Sequence, residues 1–344
     1  QMVLPSWCDS HTHIVYSGNR SKEFIDRIKG LSYTEIANKG GGILNSVEIL
    51  RNTSKKDLLE QSLERVHSVI KQGTGAIEIK SGYGLNIDSE KKMLEVISEI
   101  NKSTEIIVKS TFLGAHAFPK EFSNNKHQYV DLIINNMLPE FHDLQLINYV
   151  DVFCEKGYFD LSQSEKIISK AQELGIQTKI HVNQFNSIGG IKLAVKYNAL
   201  SVDHLEVLNV KDLEILKNSS TMPVALPTCS YFLGIKYAPA RKIIDSGLPL
   251  AIASDYNPGS SPSGNMNFVI STACIKMKMT TEEAINAATI NGAYSMGISD
   301  KAGSITIGKI ANLIITDKLN SIDEIPYSFG SNKISKVILA GAIV

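Results

Sequence analysis

The sequence predicts an α/β protein whose main body is a (β/α)8 barrel, followed by a small β element at the C-terminal end. Eight strand-like apolar runs recur along the chain, and helical patterns lie between them. The runs are rich in β-branched residues and nearly continuous, as expected for a parallel sheet buried on both faces. A doubly wound open sheet is the structural alternative, but no dinucleotide-type glycine fingerprint follows the first run.

The predicted strands follow in chain order. They span residues 7–13, 75–80, 106–113, 150–153, 177–182, 199–202, 222–226 and 249–253. The helix before the second strand shows how the connections are built: Ser54 and Asp57 form a capping pattern, Leu63 and Val66 lie on one apolar face, and Gly73 ends the helix. The alternation of strand and helix predicts the barrel.

The character of the chain changes near residue 302. We predict that residues 1–302 form the barrel and that residues 303–344 form a β segment of a small separate domain. Within that segment, short strands are predicted around glycines at 303–308 and 311–315, and another at 334–339.

Composition excludes several functional classes. Of the 344 residues, 43% are hydrophobic and 20% are charged, which is typical of a globular chain. Thirty-five basic residues balance 35 acidic ones, so neither a nucleic acid nor a membrane surface is predicted as a partner. No apolar run is long enough to cross a bilayer, and residues 1–7 do not resemble a signal peptide. The four cysteines form no CxxC pair, which favours a cytoplasmic location.

Five of the eight histidines lie at or just after the ends of predicted strands: His11, His13, His116, His181 and His204. In a barrel, the carboxyl ends of all strands meet at one face, where active sites are built. Packing alone explains one or two histidines at this rim, but not five.

Four of the rim residues predict a metal site. His11 and His13 form an H-x-H pair on one strand, so both side chains point to the same side. His181 ends the fifth strand and Asp255 follows the eighth. Three imidazoles and a carboxylate form a ligand set for one divalent ion, Zn²⁺ or Fe²⁺, with a position left for water. Asp255 is then the candidate proton carrier, and His204 is the candidate partner of the developing oxyanion.

With these residues assembled, the sequence resembles the amidohydrolase superfamily and, within it, the imidazolonepropionase family. The motifs that carry the resemblance lie at residues 8–13, 40–43, 78–84, 111–116, 151–155, 203–205 and 255–260. The resemblance implies hydrolysis of the ring amide of 4-imidazolone-5-propanoate to N-formimidoyl-L-glutamate, a step of histidine degradation. It also implies a small-molecule substrate with a carboxylate tail, and a homodimer.

The resemblance assigns further site residues by motif. Arg20 matches the arginine that grips the propionate of the substrate, a role that suits its forked guanidinium. Tyr83 and His116 match positions that contact the ring or the carboxylate. The loop after the eighth strand matches substrate-contacting positions at Asn257, Gly259 and Ser260.

Two departures from the family pattern stand out. Gln184 occupies a position where some members have Glu, and a carboxamide cannot exchange a proton, so proton transfer is expected to depend on Asp255 and His204. Gln184 is still expected to hydrogen-bond the substrate ring. The family also has strands before the H-x-H pair that complete a small β-sandwich, and here we expect that sandwich to be incomplete.

Three alternatives remain open at this point. A deaminase of a cytosine- or guanine-like ring is the nearest, but such enzymes usually need Glu where Gln184 stands. A two-metal amidase would commonly bridge its ions with a carbamylated lysine at the end of the fourth strand, but Glu155 stands at that position, which favours one metal, although Lys156 follows it. A metal-binding protein without catalysis is disfavoured, because structural zinc sites leave no open position.

Overall fold

The computed structural model describes residues 1–31, 35 and 41–344. Gly40, the first residue of the glycine-containing motif at 40–43, therefore lies outside the described residues. Among the described residues, no helix combines the length and the apolarity that a membrane span requires.

The barrel is an eight-stranded parallel sheet in which every strand pairs with its neighbours in chain order. Its strands are β2 (Trp7–Thr12), β3 (Thr74–Lys80), β4 (Ile107–Ala115), β5 (Tyr149–Cys154), β6 (Gln177–Val182), β7 (Ser201–His204), β8 (Met222–Ala225) and β9 (Ala251–Ile252). The segment after β9 closes the barrel against β2, since Asp255 N–H donates to the His11 carbonyl at 3.0 Å and His13 N–H donates to the Tyr256 carbonyl at 2.9 Å. All eight predicted barrel strands are confirmed.

Helices cover the outside of the barrel. They are α1 (Ser21–Ile28), α2 (Ile43–Asn52), α3 (Lys55–Lys71), α4 (Ile87–Ser103), α5 (Lys126–Leu132), α6 (Leu138–Asp143), α7 (Leu161–Glu173), α8 (Gly190–Lys196), α9 (Val210–Lys217), α10 (Pro227–Leu233), α11 (Ala240–Asp245), α12 (Met266–Met277), α13 (Thr281–Ala288), α14 (Ile290–Ser295) and α15 (Glu324–Tyr327). A 3₁₀ turn at Lys120–Phe122 precedes α5, and a π-helical turn at Ile133–Met137 joins α5 to α6. The predicted cap is confirmed, because the Ser54 side chain accepts the Asp57 N–H at the start of α3.

A second sheet of four antiparallel strands lies beside the barrel. It consists of β1 (Val3–Pro5), β10 (Leu313–Thr316), β11 (Ile334–Leu339) and β12 (Ala342–Ile343), in the order β1-β10-β11-β12. The prediction of a strand at 303–308 is wrong, because this stretch forms turns. Its glycines, Gly303 and Gly308, both have positive φ, which suits turns rather than extended backbone. The predicted division of the chain after residue 302 stays a prediction.

Gly73 allows the small sheet to approach the barrel. This residue follows α3 with φ +96°, and a Cβ atom built on it would lie 2.4 Å from Ile334 Cδ1 and 3.0 Å from Trp7 Nε1. Any other residue would be strained by the positive φ and would displace the Ile334 side chain of β11. The glycine that ends the helix thus also leaves room for side chains between the two sheets.

Candidate metal centre and substrate cleft

The carboxyl ends of β2 and β6 and the loop after β9 bring four predicted ligands together. Ring nitrogens of His11, His13 and His181 lie within 4.8 Å of one another, and all three side chains are buried. Nε2 of His13 is 3.3 Å from Nε2 of His11. Oδ1 of Asp255 is 3.6 Å from Nε2 of His11 and 3.5 Å from Nε2 of His13.

Two buried aspartates contact the rings of His11 and His181. Nδ1 of His11 donates to Oδ2 of Asp203 at 2.6 Å, so Nε2 of His11 presents a lone pair. Nδ1 of His181 lies 2.8 Å from Oδ2 of Asp151, in a close contact rather than an aligned hydrogen bond, and Nε2 of His181 has no hydrogen-bond partner among the described residues. Burial lowers the pKa of His11 and His13 well below the usual value, so both rings are neutral. Ring nitrogens that converge in this way, with the Nε2 lone pair of His11 among them, suit a divalent cation.

A buried charge network holds these aspartates in place. Lys80 Nζ donates to Glu78 at 2.6 Å and to Asp151 at 2.8 Å, and it lies 3.8 Å from Asp203. Lys179 forms an ion pair with Glu78 and lies 3.9 Å from Asp203. All five side chains are fully buried. Burial alone would raise the pKa of Asp151, but His181 and Lys80 hold it well below its usual value. The histidine-orienting carboxylates are therefore themselves oriented by lysines inside the barrel.

The loop after β9 positions Asp255 through its own hydrogen bonds. Asp255 has φ +52°, an uncommon conformation for a residue other than glycine. Asn257 Nδ2 donates to the Asp255 carbonyl at 2.7 Å, and Asn257 Oδ1 accepts the N–H groups of Gly259 and Ser260, each at 2.8 Å. Ser260 Oγ donates to Oδ2 of Asp255 at 3.2 Å. The loop therefore keeps one carboxylate oxygen toward the histidines and hydrogen-bonds the other.

His204 ends β7 beside the four candidate ligands. Its ring centroid lies 5.3 Å from that of His181 and 5.7 Å from that of His11. Burial alone would lower the pKa of His204, but Glu206, whose Oε1 lies 3.4 Å from Nδ1, and the carboxylates of Asp255 and Asp203 raise it above the usual value. The surrounding carboxylates therefore favour the protonated form of His204.

Arg20 lies at the opposite side of the cleft. Its Nε donates to Ser46 Oγ at 2.9 Å, whereas its buried Nη2 has no hydrogen-bond partner among the described residues. A Cβ atom built on Gly259 would lie 2.1 Å from Arg20 Nη1, so any side chain at this position would displace the guanidinium. A buried guanidinium nitrogen without an acceptor, facing a cleft, is a site for an anion.

Tyr83, His116 and Gln184 line the wall between these two ends. The His116 ring stacks on His13 at a centroid distance of 5.2 Å, and its Nδ1 donates to the Gly82 carbonyl at 3.0 Å. Burial and the neighbouring His181 lower the pKa of His116 to about 3, so its Nε2 is an acceptor. Gln184 Nε2 lies 3.7 Å from Cys229 Sγ.

All of the predicted site residues line one cleft except His11, which is fully buried. Sequence reasoning missed the apolar part of the lining, namely Ile43, Phe153, Tyr158, Phe185 and Leu233. It also missed the charge network, although Glu78, Lys80, Asp151 and Asp203 lie within the motifs that it quoted.

Glu155, which stands where a two-metal amidase would have its bridging lysine, is used elsewhere. Its carboxylate accepts the N–H groups of Phe185 and Asn186 at 3.0 and 3.1 Å, and it accepts Asn186 Nδ2 at 3.0 Å. These bonds tie the loop after β6 to the end of β5. Because both oxygens already accept hydrogen bonds from this loop, the arrangement favours a centre with a single ion.

Known proteins resemble this chain at both the sequence and the structure level. The model of the amidohydrolase family matches residues 2–344. An imidazolonepropionase of Flavobacterium johnsoniae is 61% identical over 344 residues, which is all of this chain and 84% of the relative. An imidazolonepropionase of Alkaliphilus oremlandii is 41% identical over 99% of this chain and 81% of its own length.

Solved structures resemble the chain more distantly. A zinc-bound adenosine deaminase from Xanthomonas campestris has a TM-score of 0.74 at 16% identity, with 99% of this chain and 80% of the other covered. A guanine deaminase from C. acetobutylicum has a TM-score of 0.71 at 16% identity, with 99% and 86% covered. At such identities the likeness shows the fold alone.

Proposed function

This chain belongs to the amidohydrolase family and, within it, to the imidazolonepropionases, hydrolases of histidine degradation, and we propose that it opens the ring of 4-imidazolone-5-propanoate in the cleft described above. The observation that carries the proposal is the pairing of two features in one cleft. Convergent imidazole lone pairs lie at its floor, and the unpartnered Nη2 of buried Arg20 lies at its side. The first suits a cation and the second suits the carboxylate tail.

We propose that His11, His13, His181 and Asp255 hold one divalent ion. The chemistry of this donor set suits zinc or iron. Such an ion polarises a carbonyl and lowers the pKa of water to about 7. Elemental analysis of purified protein decides between the two metals. Purified protein that binds no divalent ion would contradict this centre.

The residues of the chain then divide the remaining work. Oδ2 of Asp255 takes the proton of the attacking water and returns it to the ring nitrogen, as the carbon–nitrogen bond breaks and a carbon–oxygen bond forms. His204, which carries a proton readily, donates to the developing oxyanion. Gln184 hydrogen-bonds the ring without exchanging a proton.

Substrate orientation follows from the two ends of the cleft. Arg20 binds the propionate through its unused guanidinium nitrogen, while Tyr83 and His116 contact the ring. Asn257, Gly259 and Ser260 complete the wall beside Asp255 and Arg20. Binding of the substrate at both ends of the cleft holds its amide carbon over the histidines, so binding energy is used to orient the reacting group.

The test follows loss of the ultraviolet absorbance of freshly made imidazolone propionate with metal-free and metal-loaded enzyme. We expect turnover only with loaded metal, together with N-formimidoyl-L-glutamate as product and no ammonia. Release of ammonia would establish the deaminase alternative. Absence of any turnover by protein with one equivalent of bound ion would favour a metal-binding protein without catalysis.

A cytoplasmic location and a homodimer remain proposals. All four cysteines are free thiols, which supports a reducing compartment. Sedimentation at several protein concentrations measures the oligomeric state directly.

A further inference from the structure

A second group of metal-binding side chains lies next to the proposed centre. His204, at the end of β7, Glu206, two residues later, and Cys229, in α10, each offer one ligand atom, and these atoms lie within 4.8 Å of one another. All three residues are buried. None of the three belongs to the set of His11, His13, His181 and Asp255.

The carboxylate of Glu206 indicates a place for a bound cation in this group. Its Oε1 accepts Ser230 Oγ at 3.1 Å and lies 3.4 Å from Nδ1 of His204. Its Oε2 has no hydrogen-bond partner among the described residues, although the side chain is only 2% exposed. A buried carboxylate oxygen without a donor is costly, and a bound cation would satisfy it.

The spacing and the donor types fit zinc. Tetrahedral zinc with nitrogen and oxygen ligands at about 2.0–2.1 Å places those ligands about 3.3–3.4 Å apart. The separation of 3.4 Å between His204 Nδ1 and Glu206 Oε1 matches this spacing, and the ligand atoms of all three residues lie within 4.8 Å of one another. A sulfur donor selects zinc or cobalt over magnesium and calcium. Because His204 lines the cleft, an ion can reach the group from solvent.

We propose that His204, Glu206 and Cys229 form a second zinc site, and that zinc bound there inhibits the enzyme. On binding, the Cys229 thiol loses its proton to solvent and a zinc–sulfur bond forms. The ion takes the lone pair of Nδ1 of His204, so this ring can no longer become an imidazolium, and Zn²⁺ together with one thiolate and one carboxylate carries no net charge to stabilise the developing oxyanion. The inhibition rests on the proposed function, whereas the binding of the ion does not.

The experiment uses enzyme already loaded with one equivalent of Zn²⁺ and titrates it with Co²⁺. Sulfur bound to cobalt produces a charge-transfer absorption in the near ultraviolet, and the proposed catalytic centre contains no sulfur. We expect this absorption to rise to one equivalent while turnover, normalised to its starting value, falls in parallel. Equilibrium dialysis against Zn²⁺ measures the second ion without any activity assay.

Variants test each ligand. Cys229→Ala and Glu206→Gln should abolish the absorption or lower the affinity for the second ion by at least about tenfold. In both variants, added metal should no longer change the normalised turnover. Cys274→Ala is the matched control, since Cys274 is the most accessible cysteine in the structure, and it should behave as wild type. Circular dichroism checks that each variant is folded. If Cys229→Ala does not fold, Cys229→Ser takes its place in the experiment.

Absence of a charge-transfer band in the wild type, or its persistence in Cys229→Ala, would overturn the site. A charge-transfer band that forms without loss of turnover would support the second metal site but refute the proposal that metal bound there inhibits the enzyme. If the enzyme has no activity on imidazolone propionate, the band and the dialysis still test the site. Failure of the proposed function is thereby distinguished from failure of this inference.

Discussion

Replacement of Arg20 by Ala should select against substrates that carry a carboxylate. Arg20 is 9% exposed, uses Nε on Ser46 and has no hydrogen-bond partner for Nη2 among the described residues. A hydrogen bond between charged groups contributes about 1.5–3 kcal/mol, and more when the groups are buried. Loss of one or two such bonds therefore costs about 3 kcal/mol, or roughly 100-fold in kcat/KM for the propionate substrate.

The assay compares two substrates, imidazolone propionate and an imidazolone without the carboxylate tail. For the substrate without a tail, Arg20→Ala should change kcat/KM by less than about threefold, because no bond to Arg20 is lost. Gly259→Ala offers an independent route to the same result. Its Cβ would lie 2.1 Å from Arg20 Nη1 and displace the guanidinium, so it should reproduce part of the selective loss.

The matched control is Arg27→Ala. Arg27 contacts the Gly259 carbonyl at 3.4 Å from the same helix region but does not line the cleft. We expect the ratio of the two substrates to be unchanged in this variant. Equal losses on both substrates in Arg20→Ala, or a selective loss in Arg27→Ala, would refute the assignment of the carboxylate to Arg20.

Three further predictions concern the surroundings of the site and the surface. Asp203→Asn should weaken metal binding by about 10–100-fold, measured by competition with a chelator, because His11 loses its orienting carboxylate; unchanged affinity would show that Asp203 does not orient the ring. Lys80→Met should lower the free energy of unfolding in urea by about 3–5 kcal/mol, because buried carboxylates lose their partner; a loss below about 1 kcal/mol would mean that the network reorganises. The hydrogen bond from Arg241 lowers the pKa of Glu283 below its ordinary 4.5. The stability that ionised Glu283 contributes is therefore complete above pH 4.5 and is lost as the pH falls through the lower pKa of Glu283 in the folded protein. The difference in free energy of unfolding in urea between wild type and Glu283→Gln should therefore shrink only in acid. A difference that stays constant with pH would refute the pairing.

The predicted site residues lie together for a reason that the sequence can express. Parallel barrel strands end at one face, so any polar residue that follows such a strand lies there. His181 and His204 were found because each ends an apolar run. The sequence also contained a signal for the buried network, since Glu78, Lys80 and Lys179 interrupt strands that are otherwise apolar. Charges at alternate positions of a buried strand point into the barrel.

Other features lie beyond local pattern. β1 is three residues long and pairs with β10 near the other end of the chain, so no periodicity reveals it. Residues 303–308 have a strand-like composition that is rich in β-branched residues, but their two glycines adopt positive φ. The segment therefore turns instead of forming the strand that its composition predicts. Cys229 lies in a helix after β8, far from His204 along the chain, and only folding brings the two together.

The sequence by itself determined the barrel, the face on which chemistry takes place and the family, because these depend on apolar runs, strand ends and motif residues. Only the tertiary structure decided which ring nitrogens face one another, that Nη2 of Arg20 lacks an acceptor among the described residues, and that Glu206 carries an unpartnered oxygen beside a thiol. Those properties are set by distances between strands that are remote in sequence. The sequence shows which residue types follow each strand, but the contacts between them form only when the barrel closes.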